Sequence, residues 1–433
     1  MISRLARWFD DRLGAASLTR LTINKVFPDH WSFMLGEIAL FSLIILVGTG
    51  IFLAMFFNAS ETKTVYEGSY QALKGVEMSA AYQSTLNISF DVPAGLLVRQ
   101  IHHWAALVFI GAVAIHLMRI FFTGAFRRPR EINWIIGLTL LLLGMFNGFT
   151  GYSVPDDLLS GTGLRIAYSV MLSIPFIGDW LAFIFFGGNA PSQVTISRLY
   201  GMHIVVPFLI LGLVSLHLLV LVRQKHTNCP GPGRSNESIV GSRLWPTYAA
   251  KSLGLFFFVF AALAALAGLV QINPIWLYGP FNAAAVSSGS QPDWYVLWLE
   301  GVLRLFPSLD FHVAGHLVPG IFLPGVLMPL IFFGVLYFWP FLEARATGDR
   351  GVHHVLQPPA LSPVRTSIGA AALTFFLVLT IAGGQDVIAV AARDSVASVR
   401  TTLRVLVIAA PLIAAGVTYF ICRLAGRDRQ AAA

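Results

Sequence analysis

Arg99-Gln-Ile-His102-His103-Trp-Ala-Ala-Leu-Val-Phe-Ile-Gly-Ala-Val-Ala-Ile-His116-Leu-Met-Arg119 is an apolar run with a histidine near each end. His102 and His116 are 14 residues apart. That is close to four helical turns, so both project from nearly the same face, about 21 Å apart along the axis. A second run, Met202-His-Ile-Val-Val-Pro-Phe-Leu-Ile-Leu-Gly-Leu-Val-Ser-Leu-His217, repeats the spacing with His203 and His217. Two facing helices would carry two pairs of neutral imidazoles at two depths of a bilayer, which suits two six-coordinate haem irons.

Working outward, hydrophobic residues make up 56% of the 433 and charged residues 12%, far from a soluble balance. Apolar runs of membrane-spanning length fall at 33–57, 99–122, 134–153, 199–223, 250–271, 319–340, 366–387 and 402–422. The expectation is an all-α polytopic membrane protein of eight spans, the first four forming a di-haem bundle. Pro207, Pro324 and Pro329 fall within the fourth and sixth runs, where neighbouring helices can re-satisfy the freed backbone groups. Basic residues cluster before the first run (Arg4, Arg7, Arg12, Arg20, Lys25) and after the second (Arg127, Arg128, Arg130). They recur after the fourth, sixth and eighth. The positive-inside rule therefore puts both termini in the cytoplasm. The net charge of +8 reflects topology and contact with the inner leaflet, and no nucleic-acid partner is expected. Two cysteines, Cys229 and Cys422, are too few for an iron–sulfur cluster. The segment 1–32 reads as a cytoplasmic amphipathic stretch, 33–225 as the four-helix bundle, and 226–433 as four further spans with a long outer loop.

Gly36 and Gly50 on the first run, and Gly137 and Gly151 on the third, repeat the 14-residue spacing. Alternating span direction gives each depth two histidines and two glycines. His102 and His203 meet near the outer side with Gly50 and Gly151; His116 and His217 meet near the inner side with Gly36 and Gly137. The histidines supply axial ligands, and the glycines remove side chains that would block a flat macrocycle. His103 has Leu117 at the matching position and is set aside as packing, or as a support behind the functional groups. Arg99, Arg119 and Arg198 flank these levels as cationic partners for propionates, although Arg119 equally suits snorkelling at the membrane edge.

Two outer segments carry further chemistry. Gly151-Tyr152-Ser-Val-Pro-Asp-Asp-Leu-Leu-Ser-Gly-Thr-Gly163 reads as a glycine-rich turn before a short surface helix. Pro292-Asp293-Trp294-Tyr295 opens an amphipathic stretch, so Asp293 is either a helix N-cap or a carboxylate poised to take a proton. The outer loop 58–98 reads as a polar docking surface. On the inner side Lys225, His226, Lys251 and Ser252 border the inner level and either serve a second quinone site or simply belong to the basic cytoplasmic boundary.

These motifs, together with Thr49-Gly-Ile-Phe-Leu-Ala-Met55, resemble cytochrome b of the quinol:cytochrome c reductase (cytochrome bc) complex across nearly the whole chain. Pro292 to Tyr295 is similar to the family's Pro-Glu-Trp-Tyr, with aspartate for glutamate. With Gly151-Tyr-Ser-Val-Pro-Asp156 it resembles the actinobacterial type, which uses menaquinol. Met34 stands where chloroplast-type relatives attach an extra haem through cysteine, and the family's aspartate at the start of span five aligns with Lys251. The resemblance implies a translocating quinol–cytochrome c reductase, catalytic only as a subunit and set in a bacterial cell membrane. Quinol is oxidised at the outer side, with Asp293, Tyr295 and Tyr152 catalytic and Gly163, Pro292 and Trp294 lining the site. One electron goes to a Rieske-type iron–sulfur subunit and on to a cytochrome c subunit. The other crosses two non-covalent b haems to a cytoplasmic-side quinone site, generating proton motive force. A dimeric complex, with a terminal oxidase in a supercomplex, is the implied assembly. The alternative is a di-haem membrane anchor of a quinone-linked dehydrogenase, without bifurcation.

Overall fold

A computed structural model describes residues 23–188, 192–285 and 291–431, with side chains to 426, and six scattered positions nearer the N-terminus (8, 10–12, 14 and 16). The expected interfacial helix within 1–32 lies largely outside the described residues. The long helices are α1 (Met34–Ala54), α3 (Gly95–Phe122), α4 (Glu131–Ser153), α7 (Thr195–Gln224), α8 (Ala249–Leu269), α11 (Met328–Thr347), α12 (Pro363–Gly383) and α14 (Val396–Ala431). Counted with their flanking turns, they give eight helices long and apolar enough to cross a membrane among the described residues. Shorter helices connect them: α2 (Ala80–Phe90), α5 (Leu158–Leu172), α6 (Gly178–Phe186), α9 (Ile275–Tyr278), α10 (Trp294–Leu305) and α13 (Gln385–Ala392).

The sixth span departs from the expected 319–340. It starts at Leu323 and runs to Thr347, with Pro324 at the start of a short π-turn and Pro329 where that turn passes into α11. Pro207 stays inside α7 without ending it. The expected turn at Gly161 to Gly163 is also helical. Asp157 caps α5 by accepting from the amides of Leu159 (3.1 Å) and Ser160 (3.3 Å), so the chain is already coiled when it reaches both glycines.

Helix α1 packs on α3 and α4 on α7, while α3 joins the two pairs by packing on α4. Ala39, Leu43, Phe109, Ile110, Ile136, Leu138 and Ile210 form one buried apolar cluster from all four helices, and Tyr295 of α10 joins it. The loop 58–98 is an ordered unit with its own core. A two-stranded ribbon pairs Lys63 with Ser79 and Val65 with Glu77, and α2 follows it. Tyr66, Met78, Tyr82 and Leu86 are fully buried there against Ile275. The second half binds α10 to α12 and α12 to α14 through Trp298, Val302, Leu305, Val378 and Leu379.

Candidate functional site

The two histidine levels form as the spacing predicts. His102 and His203 face each other with ring centroids 6.3 Å apart and ring planes at 70°. Each glycine backs one imidazole. A Cβ on Gly50 would stand 3.2 Å from Cε1 of His102, and one on Gly151 only 2.4 Å from Cε1 of His203. At the other level a Cβ on Gly36 or Gly137 would lie 3.4 Å from Cε1 of His116 or His217. The ring that the glycines most directly admit is therefore the imidazole.

Hydrogen bonds fix the tautomers of the first pair. Nδ1 of His203 lies 3.0 Å from the carbonyl of Asn147, which can only accept, so Nδ1 carries the proton. The Thr49 hydroxyl donates to the carbonyl of Ile45 at 2.7 Å and lies 2.9 Å from Nδ1 of His102, so it receives that N–H. Thr150 occupies the equivalent place, 3.2 Å from Nδ1 of His203. Both rings therefore hold Nε2 as a bare lone pair, the form a metal binds. Nδ1 of His116 is buried without a partner among the described residues, while His217 faces the carbonyl of Asn133, the counterpart of Asn147, without reaching a full hydrogen bond, so the second level is less firmly oriented.

The donor set fits a bis-imidazole haem iron. Two metal–nitrogen bonds of about 2 Å, plus roughly 1 Å from each nitrogen to its ring centre, total about 6 Å, matching the separation of His102 and His203. Arg99 is 9% exposed and donates Nη2 to the carbonyl of Asn273 at 2.8 Å, while its Nη1 is buried without a partner. Arg119, one turn beyond His116, lies 4.2 Å over the Phe33 ring with Nε and Nη2 buried and unpartnered. Both leave buried cationic N–H groups free to receive anionic oxygens. Arg198 instead spends Nη1 on the carbonyls of Phe183 and Ile184.

Asp293 corrects two expectations. It occupies the N-cap position of α10, yet its side chain makes no capping bond. Its oxygens lie 3.0 and 3.1 Å from Nε2 of His103, the histidine that sequence spacing sets aside. Tyr295 is 3% exposed, and burial with Asp293 nearby pushes its phenol well above the usual range, so it stays a donor. A Cβ on Gly148 would fall 2.5 Å from the Tyr295 hydroxyl, so this glycine lets α10 dock on α4. Tyr152, in the last turn of α4, has a buried hydroxyl without a partner among the described residues. It feels the charges of both Asp293 and Asp157. Trp294 is exposed and lies against Gly111. Gly163 faces open space.

At the opposite end, beside the His116 level, the structure gathers groups that sequence reading only partly named. Glu37, next to Gly36, accepts from the hydroxyls of Tyr248 and, at 2.9 Å, Ser252. Lys251 pairs with Asp29, and Phe27 stacks between Tyr248 (4.8 Å) and His226 (4.6 Å). Burial, Lys25 and Arg130 pull His226 down to about 4, so it is neutral. Lys225 is exposed and outside the cluster. A carboxylate inside a membrane helix is rare enough to mark function, and Glu37 was missed because it stands near a span boundary. One signal could have found Thr49 and Thr150: Gly36, Thr49, Gly50, His102 and His116 recur 101 residues later as Gly137, Thr150, Gly151, His203 and His217.

Residues 107–280 match the family described as cytochrome b (N-terminal)/b6/petB. The chain is 50% identical to the cytochrome bc1 complex cytochrome b subunit of Mycobacterium leprae, over 98% of this chain and 77% of the relative. It is 47% identical to the subunit of the same name in Streptomyces coelicolor, over 99% of this chain and 79% of that one. A solved chain of a hyperthermophilic respiratory Complex III superposes with a TM-score of 0.70 at 21% identity, over 96% of this chain and 98% of that chain.

Proposed function

The chain belongs to the cytochrome b subunits of bc1 complexes, membrane-embedded components of respiratory electron transfer, and from that premise we propose that it oxidises quinol, of the menaquinol type, at the His102/His203 end and reduces quinone at the His116/His217 end. Residues 33–225 form the haem-carrying unit, with both termini cytoplasmic in a bacterial cell membrane. His102 and His203 hold an outer haem, and His116 and His217 an inner one. Arg99 and Arg119 would serve the propionates; the expected third partner, Arg198, is held by the carbonyls of Phe183 and Ile184 instead. When bound, the two haems supply one-electron carriage between the two levels.

The residues of the chain supply binding and proton chemistry. The outer site lies between Tyr152 of α4 and Pro292 to Tyr295, with Trp294 and Gly163 at its rim. Asp293, oriented by His103, takes a hydroxyl proton from quinol, while Tyr295 donates a hydrogen bond. The two electrons then part, one to a Rieske-type iron–sulfur subunit and cytochrome c, the other toward the opposite face. Moving that charge against the membrane potential stores about 2.3 kcal/mol per 100 mV for a full crossing. At the inner face the hydroxyls of Ser252 and Tyr248, held on Glu37, form a polar cluster that would bind the quinone and relay protons to it from the cytoplasmic side. The working unit is the complex, dimeric and open to a terminal oxidase. The Asp293–His103 pair favours bifurcation over a simple membrane anchor, which has no use for a proton acceptor there.

The observation that carries this reading is the His102–His203 pair at 6.3 Å with both Nε2 atoms free. A dithionite-reduced minus oxidised spectrum of the purified complex should show two b-type components. His203→Leu should remove one of them and quinol oxidation with it. Retention of both would refute the ligand assignment, and quinol oxidation that persists without the iron–sulfur partner would refute bifurcation.

A further inference from the structure

Outside the quinol pocket, the same end of the molecule holds buried acids that the mechanism above leaves unused. Asp156 is 8% and Asp157 0% exposed, side by side at the turn between α4 and α5. The segment 279–281 is stitched along them: Leu158 donates to the carbonyl of Gly279 at 3.0 Å, and Phe281 donates to that of Asp156 at 3.0 Å. Tyr278 is thereby set beside Asp157, and it feels both Asp157 and Asp293. Tyr152 likewise feels both acids, and its hydroxyl is buried without a partner. Beyond Asp156, and within reach of its charge, stands Glu61; the Thr195 and Ile196 amides face its carboxyl, while its Oε2 is buried without a partner among the described residues. The next acidic or basic residue along the chain, Lys63, is exposed.

The seam thus has a buried, unpaired oxygen toward each end, Tyr152 Oη and Glu61 Oε2, with the buried acids between them; such oxygens call for bridging water, and water between tyrosine hydroxyls and carboxyls conducts protons. We propose that protons from quinol leave the pocket along this seam, from Asp293 through Tyr152 and Tyr278 past Asp157 to Asp156 and Glu61, and enter water beside Lys63. The proposal rests on quinol oxidation at this end. Only protons travel the seam: each one accepted at Asp293 is matched by one released at Glu61, the tyrosines stay neutral, and both electrons leave by the routes already given. Asp157 is committed to capping α5, with Ser160 Oγ at 2.7 Å and Arg99 nearby, so it positions the chain of groups.

The terminal acids are poised for exchange near neutral pH. Burial and the Asp156 charge push Glu61 up to about 7, opposed by the Thr195 and Ile196 amides at the start of α7 and by Lys63. Burial pushes Asp156 up to about 6, opposed by the Ser79 hydroxyl and Lys63, with Asp157 adding to the rise. An acceptor that stays protonated below its pKa cannot take the next proton. Quinol oxidation should therefore slow as pH falls through this range.

The test uses the purified complex with its partners, followed by quinol-driven cytochrome c reduction from about pH 5.5 to 8.5 in light and heavy water. Glu61→Gln should lower kcat about tenfold or more, abolish the rise with pH and enlarge the solvent isotope effect. KM for quinol and both haem spectra should hold. Asp156→Asn should flatten the same limb, and Glu61→Asp should restore it. An unchanged pH profile and isotope effect in Glu61→Gln and Asp156→Asn, with quinol oxidation intact, would overturn the relay alone. A parent complex with both haems that fails to oxidise quinol would overturn the site and the relay together.

Discussion

Replacing Gly151 by alanine should cost the outer haem, and the structure says why this glycine is the most sensitive of the four. The added Cβ would meet Cε1 of His203 at 2.4 Å and Nδ1 at 3.0 Å, whereas at Gly36 and Gly137 the nearest ring atom is 3.4 Å away. An ordinary contact at Gly151 thus requires the imidazole to retreat by about 1 Å, half the length of a metal–nitrogen bond. The retreat also strains the hydrogen bonds from Nδ1 to the Asn147 carbonyl (3.0 Å) and Thr150 (3.2 Å), each worth about 1 kcal/mol. Overpacking adds about 1–3 kcal/mol. A total of about 3 kcal/mol weakens haem retention roughly a hundredfold. Gly36→Ala, in ordinary contact distance, should keep its haem. The assay is haem-to-protein ratio with a reduced-minus-oxidised spectrum for each variant. Full haem content in Gly151→Ala, or greater loss in Gly36→Ala, would refute the reasoning.

Asp293→Asn should slow quinol oxidation by about a hundredfold or more while sparing both haems. His103→Leu should slow it in the same way, and the double variant should be little worse than the worse single, since the two act through one contact; additive losses would separate them. Thr49→Val removes the acceptor for Nδ1 of His102, so that ligand becomes less basic and the outer haem potential should rise on redox titration, with the inner one unmoved. Glu37→Gln should leave outer-site reduction of the haems intact and slow their reoxidation by quinone in single-turnover traces; an unaffected reoxidation phase would return Glu37 to a purely structural role.

The eight spans were legible because a bilayer demands some twenty apolar residues in a row, and composition alone reveals such runs. The histidine and glycine levels were legible because 14 residues bring a helix back to the same face at another depth. What escaped was set by contacts between distant segments. His103 lacks a partner on its own helix, and its partner Asp293 comes from 190 residues away. Glu37 acquires meaning only when α8 delivers Tyr248 and Ser252 to it. Gly161 and Gly163 read as a turn because glycine there usually signals one, but the cap at Asp157 decides the matter first. The loop 58–98 read as polar surface because its core residues Tyr66, Met78 and Tyr82 are scattered, and only the ribbon register brings them together.

The 101-residue repeat also explains what lies between the levels. The midpoints of the four 14-residue spacings are Leu43, Phe109, Gly144 and Ile210, each seven residues from the histidine or glycine on either side. Leu43, Phe109 and Ile210 belong to the buried four-helix cluster, and a Cβ on Gly144 would stand 2.9 Å from the Phe109 ring. Helix α4 therefore receives a ring at each step: His217 at Gly137, Phe109 at Gly144, Tyr295 at Gly148 and His203 at Gly151. The same absence of side chains that admits two imidazoles also seats a bulky apolar plug between them and docks the helix that carries Tyr295. A dry layer at mid-depth keeps water and protons at the end where they arise, since an apolar interior gives them no partners. Under the proposed function, charge separation across the membrane would need that layer as much as the ligands, because a proton that followed the electron inward would cancel the potential that the electron builds.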